Sequence, residues 1–64
     1  MTREARIWEA FGNGELEQDT AGLMVQGTEM VYKAIEREYI TPEFGAELLA
    51  LPTNEEYYRM QFEA

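Results

Sequence analysis

Apolar residues recur along this chain at spacings of three and four, and no stretch alternates convincingly with a period of two. The pattern therefore predicts helices and argues against strands. A first segment, Arg3–Phe11, carries Ala5, Trp8 and Phe11, with Ile7, on one broad apolar face; Thr2 is placed to cap it and Gly12 to stop it. A second, Leu23–Glu38, sets Leu23, Gly27, Met30, Val31, Ala34 and Ile35 on a helical period. Gly27 weakens its first half, and Thr28 offers a cap for a shorter helix from Glu29. Glu29 and Lys33 form a favourably oriented i,i+4 pair.

The third segment has the clearest start in the chain. In ITPEFGAELLAL, Thr41 is a good N-cap, Pro42 suits the first helical position, and Glu43 complements the positive end of the helix dipole. Phe44, Leu48 and Leu51 make its stripe, and Pro52 ends it. The fourth opens on Thr53 and Glu56, which match the reciprocal capping box, and continues through Tyr57, Tyr58, Met60 and Phe62. Tyr58 and Phe62 lie one turn apart and are placed to pack onto the other helices. The expectation is an all-α fold, a small bundle of three or four short helices in one domain over 1–64. Trp8, Val31, Ile35, Phe44 and Leu48 are expected near its centre.

Size makes such a core demanding. A chain of 64 residues buries only about 60% of the surface that its unfolded form exposes. With no Cys and no His, disulfides and the common zinc sites are excluded. A tight helical core, or association with another chain, remains; a homodimer is one such route. Thirteen acids against five bases give a formal net charge of −8. That surface repels phosphate backbones, so direct nucleic-acid binding is not expected, and it attracts basic partners. The apolar runs are too short to span a bilayer, and MTREARIWEAF lacks the continuous apolar core of a secretory signal. A cytoplasmic protein without membrane association is expected.

Little catalytic chemistry is within reach. The sequence has no Ser, Cys or His, and Lys33 is the only lysine, so its threonines lack a base to activate them. The acid pairs Glu15/Glu17, Glu36/Glu38 and Glu55/Glu56 would need a cleft that separates their pKa values before they could do acid–base work. They read as solvated faces, and Glu55 and Glu56 as first-turn acids. Asn13, Glu15 and Glu17 alternate as calcium ligands do, but counting from Asn13 the sixth and twelfth positions hold Gln18 and Met24 rather than Gly and Glu. No enzyme, metal or cofactor is expected. The aromatic side chains serve either as core or as an interface. Trp8 and Phe11 near one end and Tyr58 and Phe62 near the other are the candidate anchors if the helices fail to close over them.

The stretch AFGNGELEQDTAG, residues 10–22, is the remaining puzzle. Asn-Gly is a strong turn dipeptide, which makes Glu15, Glu17 and Asp19 the solvated edge of a loop. Gly-Asn-Gly also occurs in the catalytic signature of Fic-domain adenylyltransferases, but the histidine and arginine that flank it there are missing. A different likeness runs through the same residues. REARIWEAFGNGELEQ resembles, without a gap, the inhibitory helix of the VbhA-like antitoxins that block Fic toxins. Its motif is Ser/Thr-x-x-x-Glu-Gly/Asn. Asn13 falls at the Ser/Thr position, Leu16 at an apolar one, Glu17 at the glutamate and Gln18 at the Gly/Asn. EREYITPEFGAELL is similar to the family's later signature, so the likeness covers Arg3–Leu51.

The resemblance implies a helical inhibitor whose Glu17 pairs with a toxin arginine that otherwise holds the ATP γ-phosphate, with Asn13 adding a weaker contact. Nucleotide would then bind out of line for transfer. Gly12 and Gly14 stand where the family continues its helix, and two glycines cost about 2 kcal/mol of helix stability relative to alanine. The functional expectation is a non-enzymatic inhibitory binding protein with a protein partner, a Fic-domain toxin in its sharpest form. The alternative is a small acidic phage-type or regulatory inhibitor. It would bind a larger enzyme or a nucleic-acid-binding protein through its acidic surface or its aromatic C-terminal helix.

Overall fold

The computed structural model describes residues 1–63 and contains five helices: α1 (Arg3–Gly12), α2 (Gln18–Met24), α3 (Thr28–Glu36), α4 (Pro42–Ala50) and α5 (Asn54–Glu63). No strand occurs among the described residues, and the molecule is the expected small all-α bundle. The capping chemistry is as the sequence expects. Thr2 Oγ1 accepts from the Ala5 amide at 3.3 Å, and Thr41 Oγ1 from the Phe44 amide at 3.1 Å. At the start of α5, Thr53 and Glu56 close the capping box in both directions, at 3.1 and 3.2 Å.

The long second segment is divided. Gln18–Met24 is a helix of its own, and α3 begins only at Thr28. Between them Val25 and Gln26 close the last turn of α2 on Ala21 and Leu23, and Gly27 is fully extended. The break lets α2 fold back onto α3. A continuous helix would have carried Ala21 and Met24 away from the core, where both are now buried. Thr28 does not cap α3; its hydroxyl accepts from Arg3 Nη1 instead. Among the described residues the ion pairs do not include Glu29 with Lys33.

Helices α1–α4 pack as a ring, each against the next and α4 back onto α1. Ile7, Ala21, Met24, Val31, Ala34, Ile40 and Leu48 form the buried cluster. Val31 and Leu48 are thus central as expected, while Ile35 and Phe44 pack at its margin, half-buried. Trp8 is not in the core: it is 44% exposed. The buried face of α1 is Arg3, Ile7 and Ala10, turned away from the Ala5–Trp8–Phe11 face. The interior is narrow, built from small residues at Ala10, Ala21, Ala34 and Gly45, and an indole does not fit where helices approach this closely. At Gly45 the Ile35 side chain fills the place of a Cβ, which would meet Ile35 Cγ1 at 2.6 Å.

Arg3 ties the ends of the chain together. It is 6% exposed. Its guanidinium donates to the Leu48 carbonyl at 2.9 Å, the Leu51 carbonyl at 3.2 Å and the Thr28 hydroxyl at 2.8 Å. Its own amide donates to the Pro52 carbonyl at 2.8 Å. A cation on the last carbonyls of α4 satisfies groups that helix geometry leaves unpaired and suits the negative end of the dipole.

Helix α5 leaves the body beyond this clamp. Every side chain described from Asn54 to Phe62 is exposed, and α5 is not among the helices that pack in the ring. Tyr58 and Phe62 therefore do not cover the other helices. The Cα radius of gyration is 11.8 Å, against about 10.7 Å for a compact chain of this length.

Candidate functional site

The glycine-rich stretch resolves into two helix ends. Asn13 is the C-cap of α1 and Gly14 follows it in the left-handed region, with φ 78°. The Gly14 amide donates to the Phe11 carbonyl at 3.0 Å and the Glu15 amide to the Ala10 carbonyl at 2.9 Å. This is the Schellman pattern with glycine at its usual position. Glu17 is the extended N-cap of α2 and makes no side-chain capping bond. Asn13 and Glu17 are both exposed, and neither side chain makes a hydrogen bond or ion pair among the described residues. They lie on opposite sides of a chain reversal and not on one helix face, because α1 ends at the motif's first position, with Asn13 as its C-cap and Gly14 in the left-handed region.

The aromatic candidates form two separate pairs. Trp8 and Phe11 meet edge to face with centroids 5.9 Å apart, at 44% and 38% exposure. Trp8 also borders a shallow depression with Gly22, Leu23 and Gln26. On α5, Tyr57 and Tyr58 meet edge to face at 6.2 Å. Tyr58 is 59% exposed and Phe62 88%. By helical angle Tyr58 and Phe62 lie one turn apart on one side of α5, Tyr57 lies to one side of them, Met60 points away from Phe62, and Glu55 and Arg59 pair at 2.9 Å.

A groove was not anticipated from the sequence. Leu16, Ile35, Ile40 and Phe44 form its apolar floor, and Glu15, Glu36, Glu38 and Tyr39 stand exposed around it, enclosing about 660 Å³. It lies at the Thr41 end of α4, whereas α5 departs near Leu51 and Pro52. The sequence did mark Glu36 and Glu38 as paired acids, but gave no sign that a turn would carry Tyr39 and Ile40 beside Leu16.

Electrostatics are organised by one cation. Arg6 reaches Glu47 at 2.5 Å, Glu9 at 3.3 Å and Glu15 at 4.0 Å, and its guanidinium carbon lies 5.0 Å from the Phe44 ring centroid. The hydrogen bond to Glu47 is the main cause that raises the Arg6 pKa. The Glu56 carboxylate is held below its ordinary range, first by the backbone hydrogen bond from Thr53. Among the described residues no group of three or more Cys, His, Asp or Glu could hold a metal ion, and no helix is long and apolar enough to cross a membrane. Comparison with known proteins finds no match to this chain among family models, curated proteins or solved structures.

Proposed function

We propose that this chain is a non-enzymatic binding protein that acts by occupying a larger protein through α5. One observation carries the reading: a ten-residue helix stands off the body with Tyr57, Tyr58, Met60 and Phe62 all exposed. The first turn of α5 is held by the Thr53–Glu56 box and by the Asn54 amide donating to Glu4 Oε1 at 3.0 Å; the rest is a short helix of a length that is marginal in water, which a covering surface would stabilise. Tyrosine and arginine are typical interface anchors. Glu55 and Glu56 stand in the first turn of α5, and the whole chain carries −8. The partner this chemistry fits is a protein with an apolar groove bordered by basic side chains.

A second reading keeps the antitoxin likeness and places the contact at Glu17. Its support is that Glu17 is an exposed carboxylate with no partner among the described residues. The chain reversal at Gly14 counts against it, since the family's glutamate projects from the inhibitory helix itself. Affinity capture from lysate of the source cell, followed by mass spectrometry, separates the two. A protein lost on Tyr58→Ala/Phe62→Ala and retained on Glu17→Ala supports docking by α5. Retention of a Fic-domain protein that is lost on Glu17→Ala, and kept by the double variant, overturns it in favour of inhibition at the nucleotide site.

A further inference from the structure

Glu38 is the only non-glycine residue with positive φ among the described residues, at 62°. It ends α3 as Gly14 ends α1. The Glu38 amide donates to the Ile35 carbonyl at 3.0 Å and the Tyr39 amide to the Ala34 carbonyl at 2.9 Å, the same Schellman pair. A side chain in this region is strained against its own backbone, a strain glycine escapes. The Glu38 carboxylate returns nothing to the fold, because it has neither a hydrogen bond nor an ion pair among the described residues. The same is true of Glu36. Both stand at the rim of the groove floored by Leu16, Ile35, Ile40 and Phe44. Strained residues with no structural return are characteristic of functional positions.

We infer that this groove is a second docking site, and that its occupant is a peptide segment in which apolar side chains are flanked by arginine or lysine. The apolar floor would take the central side chains. Glu36 and Glu38 would pair with the flanking cations; Glu15 contributes less, since it already faces Arg6 at 4.0 Å. Tyr39, exposed beside them, supplies a ring face for a guanidinium. A volume of about 660 Å³ is within the common range for binding sites, about 300–1,000 Å³. The rim repels α5 of a second copy, which brings Glu55 and Glu56 against one Arg59, and it repels nucleic acid and anionic lipid for the same reason. The site is independent of the α5 reading, because it lies at the other end of α4.

The test uses the full chain and a fluorescein-labelled probe peptide with a Leu-Phe core between arginine pairs, alongside a matched peptide with glutamates in place of the arginines. Fluorescence anisotropy should show saturable binding of the arginine peptide only. Binding should weaken about tenfold or more in Glu36→Lys/Glu38→Lys, and strongly at about 1 M salt, where the Debye length is about 3 Å. Amide shifts in ¹⁵N NMR should move at Leu16, Ile35, Tyr39 and Phe44. Glu38→Gly, which relieves strain, should leave the chain folded and still weaken binding, so the result does not depend on a misfolded variant. Tyr58→Ala/Phe62→Ala should bind the probe as wild type does. No saturable binding, equal binding of the two peptides, indifference to both Glu38 variants, or shifts confined to α5 or Trp8 would overturn the proposal.

Discussion

At the scale of single residues, Arg3 and the two Schellman positions have opposite consequences for stability. Arg3 is buried and holds three acceptors, the Leu48 carbonyl in the interior and the Thr28 hydroxyl and Leu51 carbonyl at its part-buried edge, and no carboxylate is among them. Arg3→Leu would leave the Leu51 carbonyl and the Thr28 hydroxyl without this donor and loosen the junction with α5. A loss of about 2–4 kcal/mol in urea unfolding is expected. Arg3→Lys should recover only part of it, since an ammonium cannot reproduce the fork of donors. Glu38→Gly should raise stability by about 1 kcal/mol and Gly14→Ala lower it by about as much, because the φ of both positions is in the region where glycine is favoured. Thermal unfolding of the two variants beside wild type checks the opposite signs.

At the scale of elements, α3–α4 packing and the start of α5 are the sensitive junctions. Gly45→Ala drives a methyl into Ile35. The half-buried isoleucine can yield toward the groove, so a cost of about 1–2 kcal/mol is expected in place of unfolding. At α5, Thr53→Ala removes one side of the capping box and should cost about 1 kcal/mol of helix stability. The box also titrates. Glu56 has a folded pKa below its ordinary 4.5, so its contribution is complete above that range and is lost as pH falls through the lowered value. Following the Thr53 amide by NMR from neutral pH downward should show the hydrogen bond released at acid pH, with α5 fraying before α1–α4 respond.

At the scale of the whole molecule, the fold separates a packed ring from an appended helix. Amide exchange should therefore be slowest in α1, α3 and α4 and close to unprotected in α5 when the protein is alone. Protection of α5 should rise when the α5 partner is bound, which is a direct readout of the proposed docking. Association with a basic partner should be faster at low salt and slow as ionic strength rises, because −8 steers encounter without fixing the contact. Two surfaces at opposite ends of α4, each apolar and bordered by acids, would let a chain of 64 residues hold two basic segments at once.

The helical class and most of the helix starts were legible in local chemistry along the chain. Capping is local chemistry: Thr2, Thr41, Pro42, Thr53 and Glu56 act within one turn, and their roles need no knowledge of the rest of the chain. Gly12–Gly14 likewise announced the end of α1. Which face of each helix turns inward was decided only by the tertiary structure. In α1 the spacing admits both Trp8–Phe11 and Ile7–Ala10 as the buried side, and the choice fell to the side on which Ile7 joins Ala21, Met24, Val31, Ala34 and Leu48 in one buried cluster, leaving Trp8 and Phe11 exposed. The split of Leu23–Glu38, the burial of Arg3 across 45 residues of sequence, the exposure of α5 and the groove beside Glu38 have the same origin. Each depends on contacts between segments distant in the chain, and periodicity, which is a local property, carries no record of them.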